Sequence, residues 1–281
     1  MKLISYEVSG RATYGILRDD GIVDAGARLG PSYPTLRSVL ATPDRLHDLA
    51  NEVPDHTLKD IIFYPPVPDP GRILCVGLNY RSHIAETGRE EPKYPMIFAR
   101  YPDSLVGHGA PMVRPQVSVQ FDYEGELAIV IGKSGRHIES GSALDHVAGY
   151  ACFNDGSVRD YQRHTTQFLP GKTFWRSGSF GPWLVTPDEA GAIGDLGLVT
   201  RLNGIEVQRA KIDDLLFDPP ELIAYLSAIY PLMPGDVIAT GTTGGVGAFR
   251  KPPLWMKPGD RVEVTIDRLG TLRNSIIAEE D

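Results

Sequence analysis

Between residues 63 and 72 the chain reads FYPPVPDPGR, with Pro65, Pro66, Pro68 and Pro70 crowded into one short stretch. Proline removes a backbone donor and fixes φ, so this stretch can be neither helix interior nor central strand. It divides the chain into a small N-terminal domain, residues 1–65, and a larger domain, residues 66–281. Elsewhere the 23 prolines and 30 glycines are dispersed and punctuate short apolar runs.

In the first domain, KLISYEV, YGILRDD and GIVDAG read as strands, and RSVLATPDRLHDLANEV carries apolar residues at helical spacing. Beyond the prolines, RILCVGL, GELAIVIG, YACFND, GLVTRLNG, DVIATGT and RVEVTIDRLGTL are strand-like runs rich in Val, Ile and Leu. Helical signals are fewer: ALDHVAGY, SVRDYQRHTTQFL and PPELIAYLSAIY. The last opens on prolines, where a missing donor costs nothing. The expectation is a β-dominated α+β fold.

No apolar run approaches the roughly 18 residues of a membrane span, and the N-terminus turns polar too soon for a signal peptide. Twenty-eight basic against 36 acidic residues give a net charge of -8 with no basic block, which argues against nucleic-acid or anionic-membrane partners. Cys75 and Cys152 are too few for a disulfide framework and sit in apolar runs, as small buried hydrophobes do. A cytoplasmic enzyme or binding protein is the class that remains.

Familiar catalytic motifs fail. TQFLPGKT (166–173) has Thr166 where a P-loop needs glycine. TGTTGGVGAFRKPP (240–253) has the wrong glycine order for a dinucleotide site, and two prolines where a helix should begin. Neither G-x-S-x-G nor H-E-x-x-H occurs.

The most informative segment is FDYEGELAIVIG (121–132). Glu124 and Glu126 are two apart at the start of a strand, so they share a face about 6.6 Å apart along it. Paired carboxylates repel unless protons or a cation hold them, and an all-oxygen set favours Mg²⁺ or Mn²⁺ over zinc. Asp155, ending the strand-like FND, is a third candidate ligand. The same alternation also fits the solvated face of an edge strand, and Asp155-Gly156 also fits an ordinary turn. In GLNYRSHIAETG (77–88), His83 and Glu86 are three apart and share a face if the segment is helical, as a general base and its orienting carboxylate would. A surface pair near a helix start would look the same. Lys172, in the loop PGKTFW, is a lone cation that could equally be solvated.

Together these stretches resemble the fumarylacetoacetate hydrolase family, in the branch of acylpyruvate hydrolases and their isomerase and decarboxylase relatives. ILCVGLNYRSHIAETG, PMIFARY, FDYEGELAIVIGK, FNDGSVRDYQ, GKTF, LNG, LMPGDVIATGT and GGVG carry the likeness from about residue 70 to the C-terminus. The resemblance implies a mixed β-sandwich roll with a small N-terminal α/β domain, assembled as a homodimer. It implies that Glu124, Glu126 and Asp155 hold the metal, that His83 and Glu86 form a lid dyad activating water, and that Lys172 steadies developing negative charge. Gln162 and Thr242 are implied substrate contacts.

The activity so implied is metal-dependent hydrolysis of a C–C bond in acylpyruvate-type β-diketo acids, a small keto-acid substrate leaving pyruvate enolate. The alternative is an isomerase, tautomerase or decarboxylase of 2-hydroxydienoate or oxaloacetate-type substrates. A non-catalytic small-molecule-binding protein is the rival of another class, although no implied catalytic position is missing. Arg100, His164, Trp175, Arg176 and Thr243 depart from the family pattern, and His164 with Arg176 would add positive charge suited to a dicarboxylic substrate.

Overall fold

Strand Gly125–Ile131 is buried at every position, as a continuous apolar run with neighbours on both sides should be. In the computed structural model, which describes residues 1–280, it lies between Val147–Asn154 and Val237–Thr242 in an eleven-stranded sheet. From one edge that sheet runs Gly21–Asp24, Arg11–Arg18, Lys2–Val8, Gly178–Val185, Val147–Asn154, Gly125–Ile131, Val237–Thr242, Ile73–Gly77 and Met96–Arg100, with two short strands paired at its side. Most pairings are antiparallel; Val237–Thr242 runs parallel to Ile73–Gly77.

A second sheet of five strands, from Ile205–Lys211 to Met112–Arg114, packs against the first. Leu127, Ile129 and Cys152 meet Leu198, Val264 and Leu272 there, with Leu222 and Leu226 of helix Pro219–Ile229 closing the same core. That helix begins cleanly because Asp218 accepts from the Glu221 amide while Glu221 accepts from the Asp218 amide, each at 2.9 Å. The mixed, β-dominated sandwich expected from the sequence is the fold.

Several elements differ from the sequence reading. ALDHVAGY is not a helix: Ser140–His146 is a 3₁₀ turn, and Val147 already opens a strand. SVRDYQRHTTQFL yields only the short helix Arg159–Gln162, then irregular chain. The first-domain helix breaks into Leu36–Val39 and Asp44–His47 around Pro43. Gly178–Val185 was hidden by Pro182, which reads against a central strand; pairing with the neighbouring strand slips between Tyr150 and Cys152, opposite that proline.

The N-terminal strands join the same sheet, since Lys2 and Leu3 pair with Val185 and Leu184. Leu3, Tyr14 and Val23 share a core with Ala128, Phe153 and Leu184. Both cysteines are free and buried. No helix among the described residues is long and apolar enough to cross a membrane.

Candidate active site

Strand register builds the acidic cluster. Gly125 pairs with Asn154, so Glu124 and Asp155 emerge side by side at the ends of neighbouring strands. The Asp155 amide donates to the Glu124 carbonyl at 2.9 Å, and the Glu124 amide to Asn154 Oδ1 at 3.0 Å. Glu126, two residues on, faces the same way and pairs with Thr242 of the next strand. The residue between the two glutamates must be small: a Cβ on Gly125 would lie 2.1 Å from Thr200 Oγ1. Each of Glu124, Glu126 and Asp155 offers one oxygen, and these atoms lie within 4.8 Å of one another.

Three buried cations hold two of these carboxylates. Lys172 Nζ bonds Glu124 Oε2 and lies 2.7 Å from Asp155 Oδ2. Arg159 lies 2.7 Å from Glu124 Oε1 and donates to Asp122 Oδ2 at 2.8 Å. Arg100 donates to Asp155 Oδ1 at 2.6 Å. Burial alone would raise Glu124, but Arg159 and Lys172 hold it down at about 2. Burial would likewise lower Lys172, but Asp155 and Glu124 raise it, so the ammonium stays charged.

Glu126 is the exception. Among the described residues its one hydrogen-bond donor is the Gly241 amide, at 2.9 Å. Burial, reinforced by the charges of Asp155 and Glu124, pushes its carboxyl well above the usual range. A hard divalent cation fits this set: the donors are all oxygens, they are buried and convergent, and one is left without a countercharge.

Above the cluster, helix Arg81–Thr87 brings His83 and Glu86 together. His83 Nδ1 lies 3.1 Å from Glu86 Oε2; a carboxylate only accepts, so Nδ1 is the donor, and in the neutral ring Nε2 is the basic nitrogen. Glu86 Oε1 accepts from the Gly245 amide at 3.0 Å, which ties the helix to the glycine-rich loop. His83, Glu124, Glu126, Arg159, Gln162, Lys172 and Thr242 line one cavity of about 110 Å³. Glu86 stands behind His83, and Asp155 behind Lys172. Gln162 accepts from Arg159 at 2.9 Å through its side-chain oxygen. Thr242 is engaged on both sides, donating to the Gly125 carbonyl at 3.0 Å and accepting from Gln208 at 2.8 Å. All eight residues singled out in the sequence thus converge on one place.

The expected charge from His164 and Arg176 does not reach it. His164 stacks on Tyr161 with ring centroids 4.5 Å apart, and the Arg176 guanidinium lies over the exposed Trp175 ring. The cations of the cavity are instead Arg159 and Lys172, with Arg89 and Arg163 at its edge. Arg159 and Asp122 escaped the sequence reading, because a lone arginine in SVRDYQ and an aspartate before a tyrosine carry no pattern of their own.

Residues 72–277 match the family model described as fumarylacetoacetate (FAA) hydrolase C-terminal. The chain is 41% identical over 231 residues to the mitochondrial oxaloacetate tautomerase FAHD2A of Homo sapiens, covering 82% of this chain and 74% of that one. It is 42% identical over 225 residues to the oxaloacetate tautomerase YisK of Bacillus subtilis strain 168, covering 79% and 75%. Among solved structures, the maleylpyruvate hydrolase of Sphingobium sp. SYK-6, in complex with manganese(II) and pyruvate, superposes with a TM-score of 0.82 at 27% identity over the full length of both chains.

Proposed function

The chain belongs to the fumarylacetoacetate hydrolase family, and from that premise we propose that it is a divalent-metal-dependent tautomerase interconverting the keto and enol forms of oxaloacetate-type acids. The observation that carries the reading is the His83 imidazole, oriented by Glu86, sharing one small cavity with Glu124 and Glu126. Relatives above 40% identity that bear the name oxaloacetate tautomerase support the substrate.

Glu124, Glu126 and Asp155 would hold Mg²⁺ or Mn²⁺, which when bound supplies a Lewis acid for the substrate's keto oxygen. His83 Nε2 takes a proton from the methylene carbon beside that carbonyl. Glu86, bonded to Nδ1, stabilises the imidazolium that results. The Lys172 ammonium balances negative charge that develops on the oxygen, and return of the proton from the His83 imidazolium to that oxygen completes the enol and restores the neutral base. Phe98, Phe168 and Phe249 in the cavity wall limit water near the reacting carbon.

The test is the rate of enol-to-ketone conversion of oxaloacetate, followed by loss of enol absorbance with and without EDTA. Acceleration that disappears with the chelator is expected. A second reading, hydrolysis of acylpyruvates, draws on the same dyad acting on water and on the manganese- and pyruvate-bound maleylpyruvate hydrolase. Pyruvate release from acylpyruvates without any acceleration of tautomerisation would replace the first reading by the second.

A further inference from the structure

The cavity over the carboxylates opens into a groove of about 500 Å³, and Arg89, Phe98, Gln162, Arg163 and Phe168 line both. Arg89 follows Gly88, the left-handed cap of the lid helix Arg81–Thr87. Arg163 caps the separate helix Arg159–Gln162. Both are exposed, and among the described residues neither guanidinium makes an ion pair or a side-chain hydrogen bond. Among the acids beside them, Glu91 faces Arg81 and Asp160 accepts from Ser118 at 2.8 Å, while the exposed Glu90, next to Arg89 in sequence, makes an ion pair with neither arginine. The deeper arginines are spent on Asp122, Glu124 and Asp155. Phe98 and Phe168, edge to face with centroids 5.7 Å apart, give a carboxylate no partner at the same junction. A ligand anion there has the two arginines to turn to.

Resting on the tautomerase reading, we propose that Arg89 and Arg163 bind the distal carboxylate of the substrate and select dicarboxylic over monocarboxylic keto acids of equal length. One arginine rides on the lid segment and the other on a different helix, so a dianion joining them ties the lid to the body of the protein.

The experiment compares oxaloacetate with 2-oxobutyrate, which has a methyl group where oxaloacetate has its distal carboxylate. Equilibrium binding of each is measured by calorimetry with Mg²⁺ present, for the wild type, Arg89→Ala, Arg163→Ala and the double variant. Oxaloacetate should bind about tenfold more weakly to the double variant, and 2-oxobutyrate should change less than about twofold. Raising salt should weaken oxaloacetate binding to the wild type more than to the double variant, since exposed ion pairs are screened. Equal losses for both ligands, or no loss for oxaloacetate, would overturn the assignment. If the wild type prefers oxaloacetate through these arginines yet does not accelerate its tautomerisation, the functional reading falls while the arginine pair stands.

Discussion

Lys172 Nζ lies 2.7 Å from Asp155 Oδ2 and also bonds Glu124 Oε2, so one ammonium is shared by two of the three carboxylates assigned to the metal. The other oxygens of those carboxylates face Arg100 and Arg159. A divalent cation held by these carboxylates would therefore compete with Lys172 for the same oxygens.

Lys172→Ala should bind Mn²⁺ more tightly while losing turnover. Removing a like charge about 4 Å from a divalent cation relieves a repulsion of about 8 kcal/mol at an effective dielectric near 20. A gain of about tenfold in apparent affinity is a conservative expectation. The rise of Tm with Mn²⁺ concentration reads it directly. Unchanged or weaker binding would mean that Lys172 helps to build the site instead of competing for it.

His83→Ala should lower the tautomerisation rate by about 10²–10⁴-fold, the range of a positioned general base. Glu86→Gln should cost less, because the imidazole survives and loses only the charge that supports its protonated form. Neither residue is a ligand candidate, so the Tm shift on adding Mg²⁺ should match the wild type. Loss of that shift in His83→Ala would place the histidine in the metal site.

Arg100→Lys tests how Asp155 is aimed. The fully buried guanidinium donates to Ser104 Oγ at 3.1 Å, Asp155 Oδ1 at 2.6 Å, the Gly156 carbonyl at 2.9 Å and Ser177 Oγ at 2.9 Å. A lysine keeps the charge but not the planar fork. Unmet buried partners should cost about 1–3 kcal/mol in urea melts, with a smaller Tm gain from Mn²⁺. Wild-type behaviour in both would show that a point charge is sufficient.

Asp24 supplies a pH dependence remote from the site. Burial would raise its carboxyl, but bonds from the Ala27 amide, Thr13, Arg11 and His56 outweigh burial and hold it below the usual range. A folded-state pKa below the unfolded value of about 3.9 stabilises the fold above that pH, and the contribution is lost as pH falls through the lowered value. Urea melts from about pH 5 downward should therefore show wild-type stability falling faster than that of Asp24→Asn. Parallel slopes would remove Asp24 from the acid response.

Strand signals were legible because Val- and Ile-rich runs such as GELAIVIG are buried on both faces and bounded by turn residues. Gly178–Val185 was not, because its proline argues against the role the strand plays. The candidate ligands could be read from spacing once Glu124 and Glu126 were placed on one face. Of their cations, Lys172 was picked out through the family resemblance, but the contacts of Arg100 and Arg159 with these carboxylates could not be read, because the partners come from separate segments that only the fold brings together. Gly171 shows the same limit. A Cβ there would lie 2.4 Å from the Gln162 amide, a constraint set by a neighbour nine residues away.

The pairing of Lys2 and Leu3 with Val185 and Leu184 has a bearing on solubility. Unpaired strand rims recruit other chains. Here one end of Gly178–Val185 is covered by the N-terminal strand, and Leu105 with Val106 covers Gly178 and Ser179 at the other. Pro182, between them, has no amide hydrogen to offer. Shortening the chain at its start would expose Leu184 and Val185 as a sticky rim, so a truncated form is expected to self-associate while its carboxylate cluster stays intact.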